Sequence, residues 1–149
     1  MRAVVQRVTQ AQVEVADTVV GKIEQGLLVY VGVQDGDTDA DAVAMADKLT
    51  HLRIFSDAEG KMNRSLLDIG GSLLLVSQFT LCGDCRKGRR PGFDLAADPA
   101  HAEALYQHVQ RLIEEQGISV DTGVFRAHMQ VSCTNDGPVT FLLDSRKLF

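Results

Sequence analysis

The chain has 149 residues, of which 45% are hydrophobic, 23% charged and 5% aromatic, and its formal net charge is −5. This composition is typical of one globular domain, predicted over residues 1–149, and it excludes a disordered, collagen-like or low-complexity chain. The negative charge also disfavours a protein that coats nucleic acid non-specifically, because such binding depends mainly on neutralising phosphates.

The amino-terminal segment and the cysteine count bear on cellular location. Residues 1–7 lack the apolar stretch and cleavage site of a signal peptide, and no apolar segment approaches the roughly 20 residues that cross a bilayer. Three cysteines are an odd number, so they cannot all pair within the chain. We therefore expect a cytoplasmic protein with reduced thiols and no membrane partner.

Strands are predicted for the first third of the chain. Its residues alternate with period two, which is typical of a half-buried strand. The residues on that period are Val4, Gln6, Val8, Val13 and Val15. Two more strands are predicted at residues 19–23 and 27–33, joined by a connector of hairpin size in which Gly26 would adopt a positive φ.

Two amphipathic helices are predicted further along the chain. The first follows several N-cap candidates in the acidic tract 35–39 and ends near His51. The second starts at Asp98-Pro99, with Asp as N-cap and Pro at the first helical position, and stops at Gly117. Their buried stripes are Ala42, Met45, Ala46 and Leu49 in the first helix and Leu105, Val109, Leu112 and Ile113 in the second.

The remaining elements complete the predicted sheet. A short strand is expected at residues 54–55, and a continuous apolar strand, buried on both faces, at residues 73–79. Residues 82–94 are glycine-rich, basic and irregular, and strands return at 124–134 and 139–143. The sequence therefore predicts one α+β domain, in which two main helices pack on a curved, barrel-like, mostly antiparallel or mixed sheet.

The usual signatures of metal and triad chemistry are missing from the sequence. Its four histidines show no H-E-x-x-H or other metal spacing, and there is no G-x-S-x-G elbow. Cys82 and Cys85 have thioredoxin-like spacing, but they lead into a basic run ending in proline rather than into a helix. One C-x-x-C pair is also weak support for zinc. We expect no metal or other cofactor.

The basic run after Cys85 is the densest charge in the chain. Four of its five residues are cationic, namely Arg86, Lys87, Arg89 and Arg90. From charge alone two interpretations stay open: a solvated loop, or a local clamp for phosphates on a body that remains acidic.

Two polar segments are candidates for a functional site. Residues 77–80 end the apolar strand with three hydrogen-bonding side chains in four residues, and such groups need partners or a ligand. Residues 135–140 place Gly137-Pro138 between two predicted strands. This segment fits a hairpin turn, or a cis peptide, which costs only about 0.5–1 kcal/mol before proline. A cis bond would aim two carbonyl oxygens the same way.

These two segments, together with residues 6–8, resemble the D-aminoacyl-tRNA deacylase family. The S-Q-F-T run at 77–80 and the N-D-G-P-V-T run at 135–140 are highly specific in combination. Further matching segments are residues 53–63, 70–72, 90–93, 102–106 and 129–132. The resemblance covers essentially the whole chain in order, with local departures at Cys82, Cys85 and Gly92 and in the charged tail after Leu143.

The resemblance implies a homodimer whose active sites lie at the subunit interface and bind the 3′ end of aminoacyl-tRNA, with neither DNA nor a membrane as partner. A cis Gly137–Pro138 pair from one subunit would enter the pocket of the other, held in orientation by Arg7. The implied catalytic residues are Ser77, Gln78, Phe79 and Thr80. The resemblance places Phe125 and Met129 near the terminal adenosine. The cations Arg86, Lys87, Arg89 and Arg90 are expected to bind the tRNA because of their charge.

The implied substrate explains why no strong nucleophile is needed. An aminoacyl ester is already activated, so positioning and oxyanion stabilisation can supply most of the acceleration. Backbone N–H groups around Phe79 and Thr80 are expected to hold the oxyanion, with a neighbouring ribose hydroxyl assisting proton movement. The carbonyls of Gly137 and Pro138 would exclude an L side chain. Glycine has no side chain, so glycyl-tRNA, including glycine mischarged on tRNA-Ala, should be hydrolysed too.

Two other functions stay open. The first is a non-catalytic dimeric tRNA-binding module that uses residues 86–90 and has an inert pocket. The second is a thiol-redox protein that uses Cys82 and Cys85. Ester loss from charged tRNA separates the hydrolase from both.

Overall fold

A computed structural model of the chain describes residues 1–148. Within this range the chain forms eight strands and three α-helices. In chain order they are β1 (Arg2–Val15), β2 (Thr18–Ile23), β3 (Gly26–Gly32), α1 (Asp39–His51), β4 (Phe55–Ser56), β5 (Met62–Arg64), α2 (Leu66–Ile69), β6 (Ser72–Ser77), α3 (Pro99–Glu114), β7 (Val120–Thr122) and β8 (Gln130–Asp144). The predicted domain range reaches Phe149, which lies outside the described residues.

The long strand β1 organises the main sheet. It pairs antiparallel with β8 along one edge, and with β2 and then β3 along the other. Ala11 pairs with Ile23, and Val8 pairs with Gly26. β2 and β3 therefore pair antiparallel with successive stretches of β1 and do not pair with each other. The predicted hairpin between β2 and β3 is therefore wrong.

Gly26 is required for a different reason from the predicted one. A Cβ added there would lie 1.8 Å from the carbonyl oxygen of Ser72, at the start of β6. Gly26 begins a strand and is not among the positive-φ glycines. The close approach of β3 and β6, rather than a turn, therefore excludes a side chain at this position.

The sheet continues with parallel strands and curves back on itself. β6 pairs parallel with β3, and β7 pairs parallel with β6. β7 then approaches β2, where the Lys22 N–H donates to the Asp121 carboxylate at 2.8 Å. The result is a nearly closed, barrel-like mixed sheet in an α+β domain, which confirms the predicted fold class.

Two cores hold the sheet and the helices together. Alternate residues of β3 and β6 face opposite sides, so Leu73 and Leu75 pack with the helices while Leu74 and Val76 fill the barrel. The apolar run of β6 is buried on both faces, as predicted. α1 and α3 cover the outer side. Asp98 is the N-cap of α3, as predicted, and Thr38, one of the candidates in the tract 35–39, is the N-cap of α1.

The register of β1 changes along its length. Its pairing with β8 is irregular between Gln6 and Val8, and the buried face changes there. Val8 is fully buried as predicted, whereas Val4 is only half-buried because Ala3 and Val5 face the helix side instead. Period-two alternation therefore predicted the strand but not which residues of its first half are buried.

Several element boundaries differ from the prediction. β6 ends at Ser77, and the next residues form a 3₁₀ turn, Phe79–Cys82. Residues 124–129 are loop rather than strand, and β8 is continuous through the segment predicted to separate two strands. The short elements β5, α2 and β7 were not predicted. No helix within residues 1–148 is long and apolar enough to cross a membrane.

Candidate active site

A cavity of about 500 Å³ opens where β6 ends. Its walls come from the end of β6, the segment leading into α3 and the loop before β8. The pairing of β6 with β3 finishes at this point, where the Gln78 N–H donates to the Val31 carbonyl at 2.8 Å. Of the predicted site residues, the cavity is lined by Ser77, Gln78, Phe79, Phe125 and Met129.

The 3₁₀ turn places polar groups beside this cavity. The Gln78 side-chain amide donates to the Thr80 hydroxyl, which can then donate its own proton elsewhere. Phe79 and Thr80 begin the turn, and the first N–H groups of a helical turn have no acceptor within it. The Phe79 side chain is 56% exposed and packs edge-on against Phe93, with ring centroids 5.0 Å apart. This turn therefore offers donors next to an accessible space.

Two apolar side chains from the loop before β8, Phe125 and Met129, contribute to the cavity lining. Phe125 lies 6.1 Å from the ring of Tyr106, and the Tyr106 hydroxyl donates to the Leu75 carbonyl at 2.7 Å. Burial raises the pKa of Tyr106, so its hydroxyl remains protonated and keeps this bond. Met129 packs so close to Gly123 that an added Cβ would meet its sulfur at 2.5 Å. A flat aromatic ring and a thioether suit contact with a planar base.

Arg126 and His128 also line the cavity, and the sequence interpretation missed them. Both lie in the loop that was predicted as strand, and Arg126 has a φ of 64°. No signal in the sequence indicated this loop, because apolar and polar side chains alternate from Phe125 to Val131, as they would in a strand. Among residues 1–148, no group of three or more His, Cys, Asp or Glu side chains is arranged to hold a metal ion.

Arg7, Gly137 and Pro138 are placed away from this cavity. The Gly137–Pro138 peptide bond is cis, and both residues are exposed. Arg7 is close to them: its Nε donates to the Asp136 carbonyl at 3.1 Å and lies 3.1 Å from the Asp136 carboxylate. Its Nη1 donates to the Ile54 carbonyl at 2.6 Å. Arg7 and Asp136 line a separate cavity of about 170 Å³.

The basic run forms an exposed loop whose base is closed by backbone pairing. Asp84 and Gly92 exchange hydrogen bonds of 2.8 and 3.0 Å. The Arg86 guanidinium donates to both Asp84 carboxylate oxygens, at 2.9 and 2.7 Å, and holds the pKa of that carboxyl well below its usual range. Four cationic side chains of this loop are exposed: Arg86, Lys87, Arg89 and Arg90.

The cysteine pair differs sharply in exposure, which gives a testable prediction. Cys82 is buried and donates to the Val33 carbonyl at 3.4 Å, whereas Cys85 is exposed. Burial raises the pKa of the Cys82 thiol, so little thiolate is available at pH 8. We expect the Cys85→Ser variant to lose one fast-reacting thiol in a titration with a disulfide reagent. The Cys82→Ser variant should lose none.

Unfolding in guanidinium is the control for this titration, since it should expose all three cysteines of the native sequence. Equal fast reaction of Cys82 and Cys85, or a shared disulfide, would instead favour the thiol-redox alternative.

Comparisons with known proteins cover nearly the whole chain. The family described as D-Tyr-tRNA(Tyr) deacylase matches residues 4–144. A D-aminoacyl-tRNA deacylase of Thermotoga petrophila is 58% identical over 149 residues, 100% of both chains. One of Thermus aquaticus is 57% identical over 145 residues, 97% of this chain and 95% of that protein.

Two solved structures share the fold. The c-Myc DNA Unwinding Element Binding Protein has a TM-score of 0.91 and 38% identity, covering 97% of this chain and 98% of its own. A probable eukaryotic D-amino acid tRNA deacylase has a TM-score of 0.82 over 95% of this chain and 97% of its own. At 22% identity, this second likeness supports the fold alone.

Proposed function

Because this chain belongs to the D-Tyr-tRNA(Tyr) deacylase family and is a D-aminoacyl-tRNA deacylase, we propose that it performs its reaction in the cavity at the end of β6. The reaction hydrolyses the ester that joins a D-amino acid to the 3′ end of tRNA. The observation that carries this location is the polar turn after Ser77, which stands beside a cavity of about 500 Å³. A polar segment at the end of a buried apolar strand suits a ligand site.

Hydrolysis of this activated ester depends more on correct orientation of the water and the ester than on a strong nucleophile. The oxygen of a water molecule attacks the ester carbonyl carbon, and the backbone N–H groups of Phe79 and Thr80 stabilise the oxyanion. The bond to the ribose oxygen then breaks, and that oxygen takes up a proton, with the neighbouring ribose hydroxyl assisting the transfer. Thr80, held by Gln78, orients these groups without forming an acyl-enzyme. The products are free amino acid and tRNA.

In our proposal, a second copy of the chain selects the D-aminoacyl ester over the L-aminoacyl ester. In this proposal Gly137 and Pro138 of one protomer enter the cavity of its partner in a homodimer, and their carbonyls block an L side chain. Two observations support it: both residues are exposed, and their anchor Arg7 lines a different cavity from Gln78 in the same protomer. Glycine escapes exclusion, so glycyl-tRNA, including glycine on tRNA-Ala, is also a substrate.

The remaining contacts are assigned to the tRNA. Phe125 and Met129 contact the terminal adenosine, which their flat and polarisable side chains suit. The exposed cations of the basic loop contact phosphates, so binding weakens steeply as salt rises. Those cations are Arg86, Lys87, Arg89 and Arg90.

The test is to incubate the purified protein with D-Tyr-tRNA, L-Tyr-tRNA and Gly-tRNA-Ala and to follow ester loss. We expect the D and glycyl esters to be cleaved and the L ester to react on the order of 100-fold more slowly, which corresponds to about 2.7 kcal/mol. Comparable cleavage of the L ester would refute the selection mechanism. Binding of tRNA without any ester loss would favour the non-catalytic module.

A further inference from the structure

The segment that carries Gly137 and Pro138 is a bulge in β8 rather than a turn between strands. On β1, Gln6 and Val8 are separated by two positions, whereas their partners on β8, Thr140 and Asn135, are separated by five. The extra residues 136–139 have no paired positions on β1 in this register. Their conformation must therefore be fixed by side chains rather than by ladder pairing with β1.

One end of this bulge is held by Arg7. Its guanidinium donates to the carbonyl of Asp136, the residue immediately before Gly137, and to the Ile54 carbonyl. This contact ties the amino-terminal side of the bulge to β1 and to the segment before β4. It does not reach the residues after Pro138.

The other end is held by the side chain of Asn135. Its Oδ1 accepts from the Val139 N–H at 2.8 Å, and its Nδ2 donates to the Val139 carbonyl at 3.3 Å. Nδ2 also donates to the Thr140 hydroxyl at 3.2 Å, and that hydroxyl accepts from the Gln6 side chain at 3.3 Å. A single amide therefore bridges the base of the bulge and contacts both backbone groups of the residue after Pro138.

We infer that Asn135 is a positioning residue for chiral selection, acting through Val139 to hold the Gly137–Pro138 corner rigid. The inference rests on the proposed function, in which this corner excludes L side chains. Arg7 and Asn135 hold the two ends of the corner, so each limits its displacement when an incoming side chain presses on it. A corner freed at its Val139 end yields to an L side chain, and discrimination falls.

The experiment compares kcat/KM for L-Tyr-tRNA and D-Tyr-tRNA in the native protein and in Asn135→Ala. We expect the L-to-D ratio to rise at least tenfold in Asn135→Ala. Asn135→Asp should give a smaller rise, because its carboxylate still accepts from the Val139 N–H. Thr140→Val, which removes only the hydroxyl shared with Gln6, should give a rise of about threefold.

Asn63→Ala is the matched control, since Asn63 also fastens an exposed turn, donating to the Asp57 carboxylate at 2.8 Å. Its L-to-D ratio should equal that of the native protein. A merely structural role for Asn135 would lower thermal stability and leave the ratio unchanged in all three variants, and that result would overturn the inference. Failure of the proposed function is seen separately, as a native protein that does not prefer D-Tyr-tRNA. If Asn135→Ala does not fold, Asn135→Asp and Thr140→Val decide the matter.

Discussion

Replacing Gly32 with alanine is expected to lower the hydrolysis of D-Tyr-tRNA at least about 100-fold while the chain stays folded. Gly32 ends β3 beside the turn that we assign to catalysis. A Cβ added there would lie 2.8 Å from the Gln78 carbonyl oxygen and 3.1 Å from the Leu81 Cβ. Backbone cannot remain at that distance from a methyl group, so the turn must shift. We propose that the N–H groups of Phe79 and Thr80 hold the oxyanion, and displacing them by a fraction of an ångström would remove much of that effect.

The measurement pairs initial rates of ester loss with thermal unfolding. Overpacking of this kind costs about 1–3 kcal/mol, which a domain of ordinary stability tolerates. Gly92→Ala is the control, because an added Cβ there meets only the Asp94 carboxylate, at 4.0 Å. It should keep native activity. Native activity in Gly32→Ala, with the chain folded, would mean that the Phe79–Cys82 turn does not carry the oxyanion donors.

The features that could be predicted from the sequence are those specified locally. α1 and α3 have N-caps next to them and helical spacing within them, so both were located correctly, although α3 ends at Glu114 rather than at the predicted stop, Gly117. The apolar run of β6 showed a strand buried on both faces. By contrast, the Gly26 connector had the length of a hairpin, and only the carbonyl of Ser72, distant in sequence, explains why glycine is there.

The candidate site also contains some residues that the sequence predicts and others that it does not. Ser77 and Gln78 could be predicted to need partners because polar side chains follow a buried strand. Arg126 and His128 could not be predicted, since the loop 123–129 takes its path from what it packs against. The Gly137–Pro138 segment fitted a hairpin by composition, but pairing with β1 on both sides of it makes it a bulge. Pairing between distant strands is not encoded in a local pattern.

Replacing Arg7 with lysine is expected to reduce the preference for D-Tyr-tRNA over L-Tyr-tRNA by about 100-fold, which corresponds to about 2.7 kcal/mol. The Arg7 side chain is only 12% exposed and donates from two different nitrogens, Nε to the Asp136 carbonyl and Nη1 to the Ile54 carbonyl. A lysine has one ammonium nitrogen on a flexible stem and cannot reproduce this fork, although it keeps the charge beside the Asp136 carboxylate. The corner would then be held by Asn135 alone, so the rate on the L ester should rise.

Arg64→Lys is the matched control for this prediction. Arg64 lines the same small cavity as Arg7, but it is exposed, and its guanidinium donates to the Asp68 carbonyl rather than to the corner. The D-to-L preference of Arg64→Lys should equal that of the native protein, measured as kcat/KM on both esters. If Arg7→Lys also kept the native preference while losing thermal stability, Arg7 would be a fold-stabilising residue and the corner would need another restraint. If only Arg7→Lys loses the preference for the D ester, then the position of Asp136 and of the Gly137–Pro138 corner beside it determines whether the D or the L ester is cleaved.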